Sequence, residues 1–392
     1  MNDLAEKALH GLDAARREVC ARPMSSFAAL GLALSSVVMV FGARVGAARP
    51  TRPLTTWFGL EETHGAGPSD PVPAAIMLAA LVALLLTWIA VVELVHRTRQ
   101  PARRVWWVAA AWAAPFAVGP PLMDTTAYSY AAFGLLQRNG HSPYASGPNR
   151  LGDVPVVSAI APGARGTPSG SGPLGTLVQH LAVSVGAGSA LAAVIILRLL
   201  AVFVAIAIGR LAADLAGRRR ARALSLVVLN PLVLLYVVSA VHLDGLLVMF
   251  VLAAALAAGR RRWVAAVVFA ALAGCVSGQG FVALLGVVAA HLLGRRGRPV
   301  WRLLGQDALA AGVPIGVIGI AASDGFGWLH TITKQFTADT PFSVAGATAK
   351  LLGPIVRGAS HDDLVDGARI TALIAMVCVL GYLTATVRQR GL

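Results

Sequence analysis

The chain has 392 residues, of which 57% are hydrophobic and 13% are charged, and its mean hydropathy is +0.71. An ordinary soluble domain is about 45–50% apolar and about 25% charged, so this composition excludes a water-soluble globule, a disordered tail and a disulfide scaffold. The net charge of +15 comes from short arginine clusters between apolar stretches. That pattern is typical of the cytoplasmic loops of membrane proteins in contact with membrane lipid, and not of nucleic-acid binding. The three cysteines are predicted to be free thiols.

The apolar stretches predict an all-α polytopic membrane protein with about ten transmembrane helices, because about 20 apolar residues cross a hydrocarbon core. The first stretch is longer than the core of a cleavable signal peptide, so it is predicted to remain as a span. The two stretches within 263–294 are short and fit either two spans or a re-entrant pair. In chain order the predicted spans are residues 24–43, 74–95, 105–122, 188–208, 223–240, 245–259, 263–276, 280–294, 306–322 and 369–387.

The basic residues predict the orientation of these spans. With the N-terminus inside, 22 of the 33 Lys and Arg residues fall in the inner segments, although the outer segments are longer. Positively charged loops stay in the cytoplasm, so the protein is predicted to lie in the plasma membrane with both termini cytoplasmic. The predicted domains are a cytoplasmic segment, 1–23, and a single transmembrane domain, 24–392, with long outer loops at 123–187 and 323–368.

The most informative segment is the first long outer loop, which opens after two prolines. Asp124 lies where the chain leaves the bilayer, and a helical pattern of apolar residues follows over 128–138. This pattern predicts a helix on the membrane surface with Tyr130, Phe133 and Leu136 on its lipid side. A carboxylate at such a boundary can be held partly desolvated, which raises its proton affinity and suits it to act as a general base toward a hydroxyl group. The alternative is that Asp124 caps the helix and the tyrosines anchor it at the interface.

Two further ionisable clusters interrupt the apolar runs. His242 and Asp244 lie in a short turn between two predicted spans, downstream of Asn230 and Pro231. Such groups are costly unless they are paired or line a wet cavity, which favours a functional role over a plain turn with Asp244 as its N-cap. Arg198 lies inside a span, where an arginine costs about 2.5–3.5 kcal/mol. It should meet an anion, either a lipid phosphate or a structural carboxylate.

These motifs resemble a known family. The outer loop is similar to the first outer loop of the actinobacterial polyprenyl-phosphate-mannose-dependent α-1,6-mannosyltransferases of the GT-C superfamily (MptA/MptB type). The likeness is carried by Asp124, Tyr128-Ser129-Tyr130-Ala131, Gly134, Gly140, Pro143-Tyr144 and Gly147-Pro148. A second block of the family is resembled by Asn230-Pro231-Leu232 and His242-Leu243-Asp244-Gly245. Where the family commonly has an acid two residues before the Tyr-Ser-Tyr run, this chain has Thr126.

The resemblance implies a GT-C-like bundle with its catalytic site in the 123–187 loop. It implies an inverting transfer of mannose from a polyprenyl-phosphate donor to a mannan or lipoglycan acceptor at the outer face, with an α-1,6 linkage formed. Asp124 is the expected catalytic base, and a divalent metal is optional and not predicted. The expected substrate-binding residues are Tyr128, Tyr130, His141, Tyr144, Arg198, His242 and Asp244. A polytopic transporter or lipid flippase, and an inactive GT-C-like scaffold of cell-envelope synthesis, are the alternatives.

Overall fold

The computed structural model describes residues 23–45, 54–55, 57–58, 71–122, 124–294, 299–322 and 326–329, with some residues between 363 and 371. Within these ranges the chain is helical and contains no strand, as the composition predicted. Most of the predicted N-terminal segment, of the second outer loop and of the last span lies outside the described residues, as do Cys20 and Cys378. The α-helices are α1 (Pro23–Gly42), α2 (Pro71–Arg97), α3 (Ala102–Val118), α4 (Thr126–Arg138), α5 (Pro155–Ser158), α6 (Pro173–Val185), α7 (Ala190–Ala216), α8 (Arg220–Val227), α9 (Asp244–Gly259), α10 (Trp263–Val276), α11 (Phe281–Leu293) and α12 (Val300–Ala321).

Several of these helices are long and apolar enough to cross a bilayer. In the described part of the chain they are Met24–Gly42, α2, the continuous stretch Ala190–Val227 and α12. A π-helix, Val233–Ser239, and α9 form a pair bent by 113° that meets the same test as one broken span. The helices α6, α10 and Gly278–Leu293 are apolar but shorter. The chain is therefore a membrane protein, whereas the count of about ten crossings stays a prediction.

The region between the fourth and fifth predicted spans differs from the expectation. The sequence suggested an inner loop at 209–222, but α7 continues to Ala216, and a 3₁₀ turn, Gly217–Arg219, leads directly into α8. The physical reason is that the stretch before Gly217 contains no proline, so the helix continues after its apolar part ends. Gly217 then ends it with a φ of 54°, a conformation that favours glycine.

The predicted helix in the outer loop is present as α4, but its surroundings differ from the prediction. Phe133 and Leu136 are buried in protein rather than facing lipid, and Tyr130 is partly buried. The helix packs on α6 and α7, and Gly134 permits a close approach, because a Cβ there would lie 2.3 Å from the carbonyl oxygen of Gln179. The face that could have contacted lipid therefore forms part of the protein core.

Two groups of buried side chains hold the site region in place. One group joins α1, α2 and α3 to α8 and the π-helix around Trp112 and Phe116. The other packs α4, α5 and α7 around Tyr128. All these helices belong to a unit that covers Met1–Thr331, and in the second unit, Ile332–Leu392, the described residues are helical. The candidate site lies between these two groups, at the start of α4 and in the turn that precedes α9.

Candidate active site

Asp124 is held between the start of α4 and the turn that precedes α9. Its Oδ1 accepts a hydrogen bond of 2.9 Å from the backbone N–H of Thr126. Its Oδ2 lies 2.7 Å from Nε2 of His242. The side chain of Asp124 is 40% exposed and that of His242 is 13% exposed. One carboxylate oxygen thus binds the backbone of the first residue of α4, although the N-cap position itself is Thr125. The other oxygen contacts an imidazole.

The environment keeps Asp124 ionised, whereas the sequence led us to expect a raised proton affinity for this carboxyl group. Burial alone would raise the pKa of this carboxyl group, but the hydrogen bond and the charge of His242, with the hydrogen bond from Thr126, lower the pKa below its ordinary value. An ionised carboxylate has no proton to donate, so the hydrogen of the short contact belongs to Nε2 of His242. Asp124 is therefore an acceptor at neutral pH.

An irregular segment of backbone presents His242 to Asp124. Pro231 cannot donate a backbone hydrogen bond, and Oδ1 of Asn230 accepts one from the N–H of Leu232 at 2.9 Å. The π-helix Val233–Ser239 follows, and such helices are rare and frequent at functional sites. Val241 then has a φ of 63°, which is unusual for a β-branched residue and points to a functional constraint on this turn.

Tyr236 links His242 to Asp244. Its hydroxyl donates a hydrogen bond of 3.0 Å to Oδ2 of Asp244. Its ring stacks on the imidazole of His242 with centroids 3.7 Å apart and planes inclined by 4°. Tyr236 was not among the residues expected from the sequence. The available signal was a single tyrosine within an apolar run that leads to an ionisable turn.

Tyr130 lies beside this group of side chains, because it packs against the buried apolar cluster that contains Val237 and Leu243. Burial, followed by the charge of Asp244, raises the pKa of Tyr130 above its ordinary value, and Asp124 acts in the same direction. A hydrogen bond with the backbone N–H of Leu243 lowers the pKa of Tyr130, but it is outweighed by these effects. Tyr130 therefore keeps its hydroxyl proton and can donate it to an acceptor. Of the residues expected from the sequence, Asp124, Tyr130, His242 and Asp244 come together.

Three other expected residues make their contacts in the packing around this group. The hydroxyl of Tyr128, which is buried, accepts a hydrogen bond of 3.2 Å from Nε1 of Trp57. The hydroxyl of Tyr144 lies 3.0 Å from Oγ1 of Thr176. The backbone N–H of His141 donates to the carbonyl oxygen of Leu136 at the end of α4. Trp57 was also missed by the sequence analysis, because its partner is distant in the chain.

Arg198 is 4% exposed and donates to backbone carbonyl oxygens, a class of acceptor that the sequence analysis did not consider. Nη1 is 2.6 Å from the oxygen of Phe116 and 2.8 Å from that of Gly119. Nη2 is 3.0 Å from the oxygen of Ser239. The guanidinium also lies 5.8 Å from the ring centroid of Trp57. Arg198 thus ties the end of α3 to the π-helix, the two segments that lead to Asp124 and His242.

The described residues contain no group of three or more His, Cys, Asp or Glu side chains that could hold a metal ion. The arrangement offers an ionised acceptor, an imidazole and two phenols within one region. In chemical terms it can accept a proton from a hydroxyl group and hold polar groups of a substrate by hydrogen bonds.

Apolar helices around a carboxylate–imidazole pair define the class: a polytopic membrane protein with a candidate acid–base site. The sequence model of the family described as "Alpha-(1->6)-mannopyranosyltransferase, N-terminal domain" matches residues 28–293. This match covers more than half of the chain, so the chain belongs to that family. It is a glycosyltransferase of the mannosyltransferase type.

Two relatives agree with this assignment. Alpha-(1->6)-mannopyranosyltransferase A of Mycobacterium tuberculosis is 28% identical over 378 residues, which cover 91% of this chain and 71% of the relative. Alpha-(1->6)-mannopyranosyltransferase A of Corynebacterium glutamicum is 24% identical over 291 residues, which cover 69% of this chain and 59% of the relative. No solved structure matches the chain significantly.

Proposed function

We propose that this protein transfers mannose from a polyprenyl-phosphate donor to an α-mannoside or lipoglycan acceptor at the outer face of the plasma membrane. The new bond is an α-1,6 linkage formed with inversion at the sugar carbon. The family assignment supports the sugar and the linkage. The observation that carries the proposal is the 2.7 Å contact between Asp124 and His242 at the loop where the apolar helices end.

In the proposed step Asp124 is the base. A hydroxyl oxygen of the acceptor attacks the sugar carbon, the bond from that carbon to the phosphate oxygen breaks, and the polyprenyl phosphate leaves with the electron pair. The hydroxyl proton passes to the Asp124 carboxylate. The lowered pKa of Asp124 makes it a weak base, which is sufficient because the attacking hydroxyl becomes strongly acidic as its oxygen bonds to carbon.

The neighbours of this pair supply positioning. His242 holds Oδ2 of Asp124, and its imidazole is proposed to contact the leaving phosphate. Tyr130 and Asp244 are proposed to bind sugar hydroxyl groups, since both lie beside the pair and offer a donor and an acceptor. Such prepositioned groups account for much of an enzymatic rate enhancement.

The remaining expected residues are proposed to act at a distance from the reacting atoms. The contacts of Tyr128 with Trp57 and of Tyr144 with Thr176 support roles in shaping the loop. The three carbonyl contacts of Arg198 support a positioning role. His141 lies at the end of α4 and is proposed to contact the acceptor.

The test is transfer of radiolabelled mannose from polyprenyl-phosphate-mannose to short α-1,6-mannosides by the purified protein in lipid nanodiscs. Asp124→Asn keeps the shape of the side chain but removes its basicity, so we expect transfer to fall by a factor of about 10²–10⁴. Asp153→Asn is the matched control, because Asp153 is an exposed acid of the same loop and should leave transfer unchanged.

Asp124→Asn should stay folded at the assay temperature and should bind the lipid donor with near wild-type affinity. Turnover retained in that variant would remove Asp124 from the mechanism. A wild-type protein that binds the lipid donor but forms no extended product would support the transporter or scaffold alternatives.

A further inference from the structure

A groove between α10 and α12 has one polar end and one apolar end. At the polar end a cavity of about 550 Å³ is lined by Arg261, Arg262, Trp263, His291 and Gln306, together with apolar side chains of α10. An adjoining cavity of about 680 Å³ shares Val264, Val268 and Gln306 with the first, and its other lining residues are apolar side chains of α12 from Leu309 to Ile318. Volumes of this size accommodate small ligands.

The polar end carries a net positive charge. Arg261 and Arg262 are exposed and follow the end of α9. Nδ1 of His291 lies 2.9 Å from Oδ1 of Asp307 in a buried pair. The His291 ring also stacks on Trp263, with the centroids 4.8 Å apart. The exposed charged side chains in the lining of this cavity are those of the two arginines.

The apolar end has the length of one lipid leaflet. From Gln306 to Ile318 the lining side chains follow α12 for about 18 Å, at about 1.5 Å per residue. The hydrocarbon core of a bilayer is about 30 Å thick, so one leaflet is about 15 Å. Leu309, Val313 and Val317 are among the exposed apolar side chains of this helix. The groove therefore matches an amphiphilic molecule in length, and it has a cationic end and an apolar strip as such a ligand would require.

The groove is separate from the candidate active site. Asp244 begins α9 and Gly259 ends it, and a helix of this length extends about 24 Å. Arg261 and Arg262 therefore lie at the opposite end of α9 from Asp244, Tyr236 and His242.

We infer that this groove binds an anionic membrane lipid, with the headgroup phosphate at Arg261 and Arg262 and an acyl chain along α12 between the two helices. Guanidinium groups bind phosphate oxygens with charge-assisted hydrogen bonds. A basic residue near an anionic lipid surface contributes roughly fivefold to binding. The inference does not depend on the identity of the transferred sugar, of its donor or of its acceptor.

The test uses the full chain, delipidated in detergent and titrated with phosphatidylglycerol while bound lipid is counted by native mass spectrometry. Phosphatidylcholine with the same acyl chains, and inorganic phosphate, are titrated in parallel. We expect phosphatidylglycerol to bind at least about tenfold more tightly than phosphatidylcholine. The double variant Arg261→Gln and Arg262→Gln should bind phosphatidylglycerol about 25-fold more weakly.

The matched control is the double variant Arg218→Gln and Arg219→Gln, which removes two exposed arginines outside the groove lining. It should retain wild-type affinity for phosphatidylglycerol. Equal losses in the two double variants would overturn the inference in favour of general surface charge. Equal binding of both lipids would overturn it too, as would displacement of the lipid by inorganic phosphate at matched concentration. Mannosyl transfer is measured separately, so its failure would not be confused with failure of lipid binding.

Discussion

At the residue scale, the geometry of Asp124 joins two roles that the sequence presented as alternatives. One oxygen binds the backbone at the start of α4, and the other binds His242. Because the helix start fixes the carboxylate, the imidazole contacts a group of defined position. Val241 precedes His242 and has a φ of 63°. This unfavourable backbone conformation orients the imidazole of His242 toward the carboxylate. The pair therefore depends on two independent local structures.

The first prediction concerns the pH dependence of stability at Asp124. The pKa of Asp124 is lowered in the folded protein, so the unfolded chain binds the proton more tightly and ionisation favours folding. This contribution is fully present above the unfolded pKa, about 3.9, and is lost as the pH falls through the lower, folded value. We expect Asp124→Asn to lower the midpoint of thermal unfolding at pH 6–7 and to match the wild type once the pH is well below 4.

The measurement is a series of thermal unfolding curves of the purified protein between pH 3 and pH 7, with Asp153→Asn as the control. Asp153 is exposed, so its substitution should leave the curves unchanged. A constant difference between wild type and Asp124→Asn down to the lowest pH would contradict the assigned ionisation.

At the element scale, Arg198 connects three segments. From the middle of α7 it donates to carbonyl oxygens of Phe116 and Gly119 at the end of α3, and to that of Ser239 at the end of the π-helix. Carbonyl groups at helix ends lack partners within the helix, so a planar guanidinium with several donors satisfies groups that would otherwise stay unpaired in an apolar environment. The distance between the segments that carry Asp124 and His242 is thereby fixed.

The second prediction follows from this bridge. Arg198→Gln removes charge-assisted hydrogen bonds worth about 1.5–3 kcal/mol each, so we expect a fall of roughly 5 °C or more in the midpoint of thermal unfolding, with a lower kcat for mannosyl transfer. Arg210→Gln is the control, because Arg210 is an exposed residue of the same helix. If Arg198→Gln kept its thermal stability and lost affinity for the lipid donor, Arg198 would instead be a ligand of the donor phosphate.

Local sequence predicted part of this architecture and not the rest. Apolar stretches of sufficient length identified α1, α2 and α3 to within a few residues, because membrane burial of a continuous run needs no knowledge of the neighbours. Polar residues in an apolar context similarly identified Asp124 and His242. The π-helix, the burial of α4 against α6 and the contact of Trp57 with Tyr128 depend on pairings between distant segments, which periodicity does not encode.

At the scale of the whole molecule, the arginine clusters and the candidate active-site residues lie at opposite ends of the helices. Asp244 begins α9, and three consecutive arginines, 260–262, follow the end of that helix. The same separation holds across α7 and α8, where the exposed arginines 218–220 lie at the far end of the helix from Ser189, its N-cap. Basic loops are retained in the cytoplasm, so this arrangement agrees with the proposal that the active site lies at the outer face.

The last prediction tests that orientation in intact cells with a membrane-impermeant maleimide. All three cysteines are first replaced by alanine, and single cysteines are then introduced at Asp153 and Arg219, which are both exposed. We expect the cysteine at 153 to be labelled from outside and the cysteine at 219 to be labelled only after permeabilisation, because basic loops resist translocation. The reverse pattern would place Asp124 and His242 on the cytoplasmic side. The donor sugar would then have to be presented on the inner leaflet, and the long loop that carries Asp124 could no longer act on an extracytoplasmic acceptor.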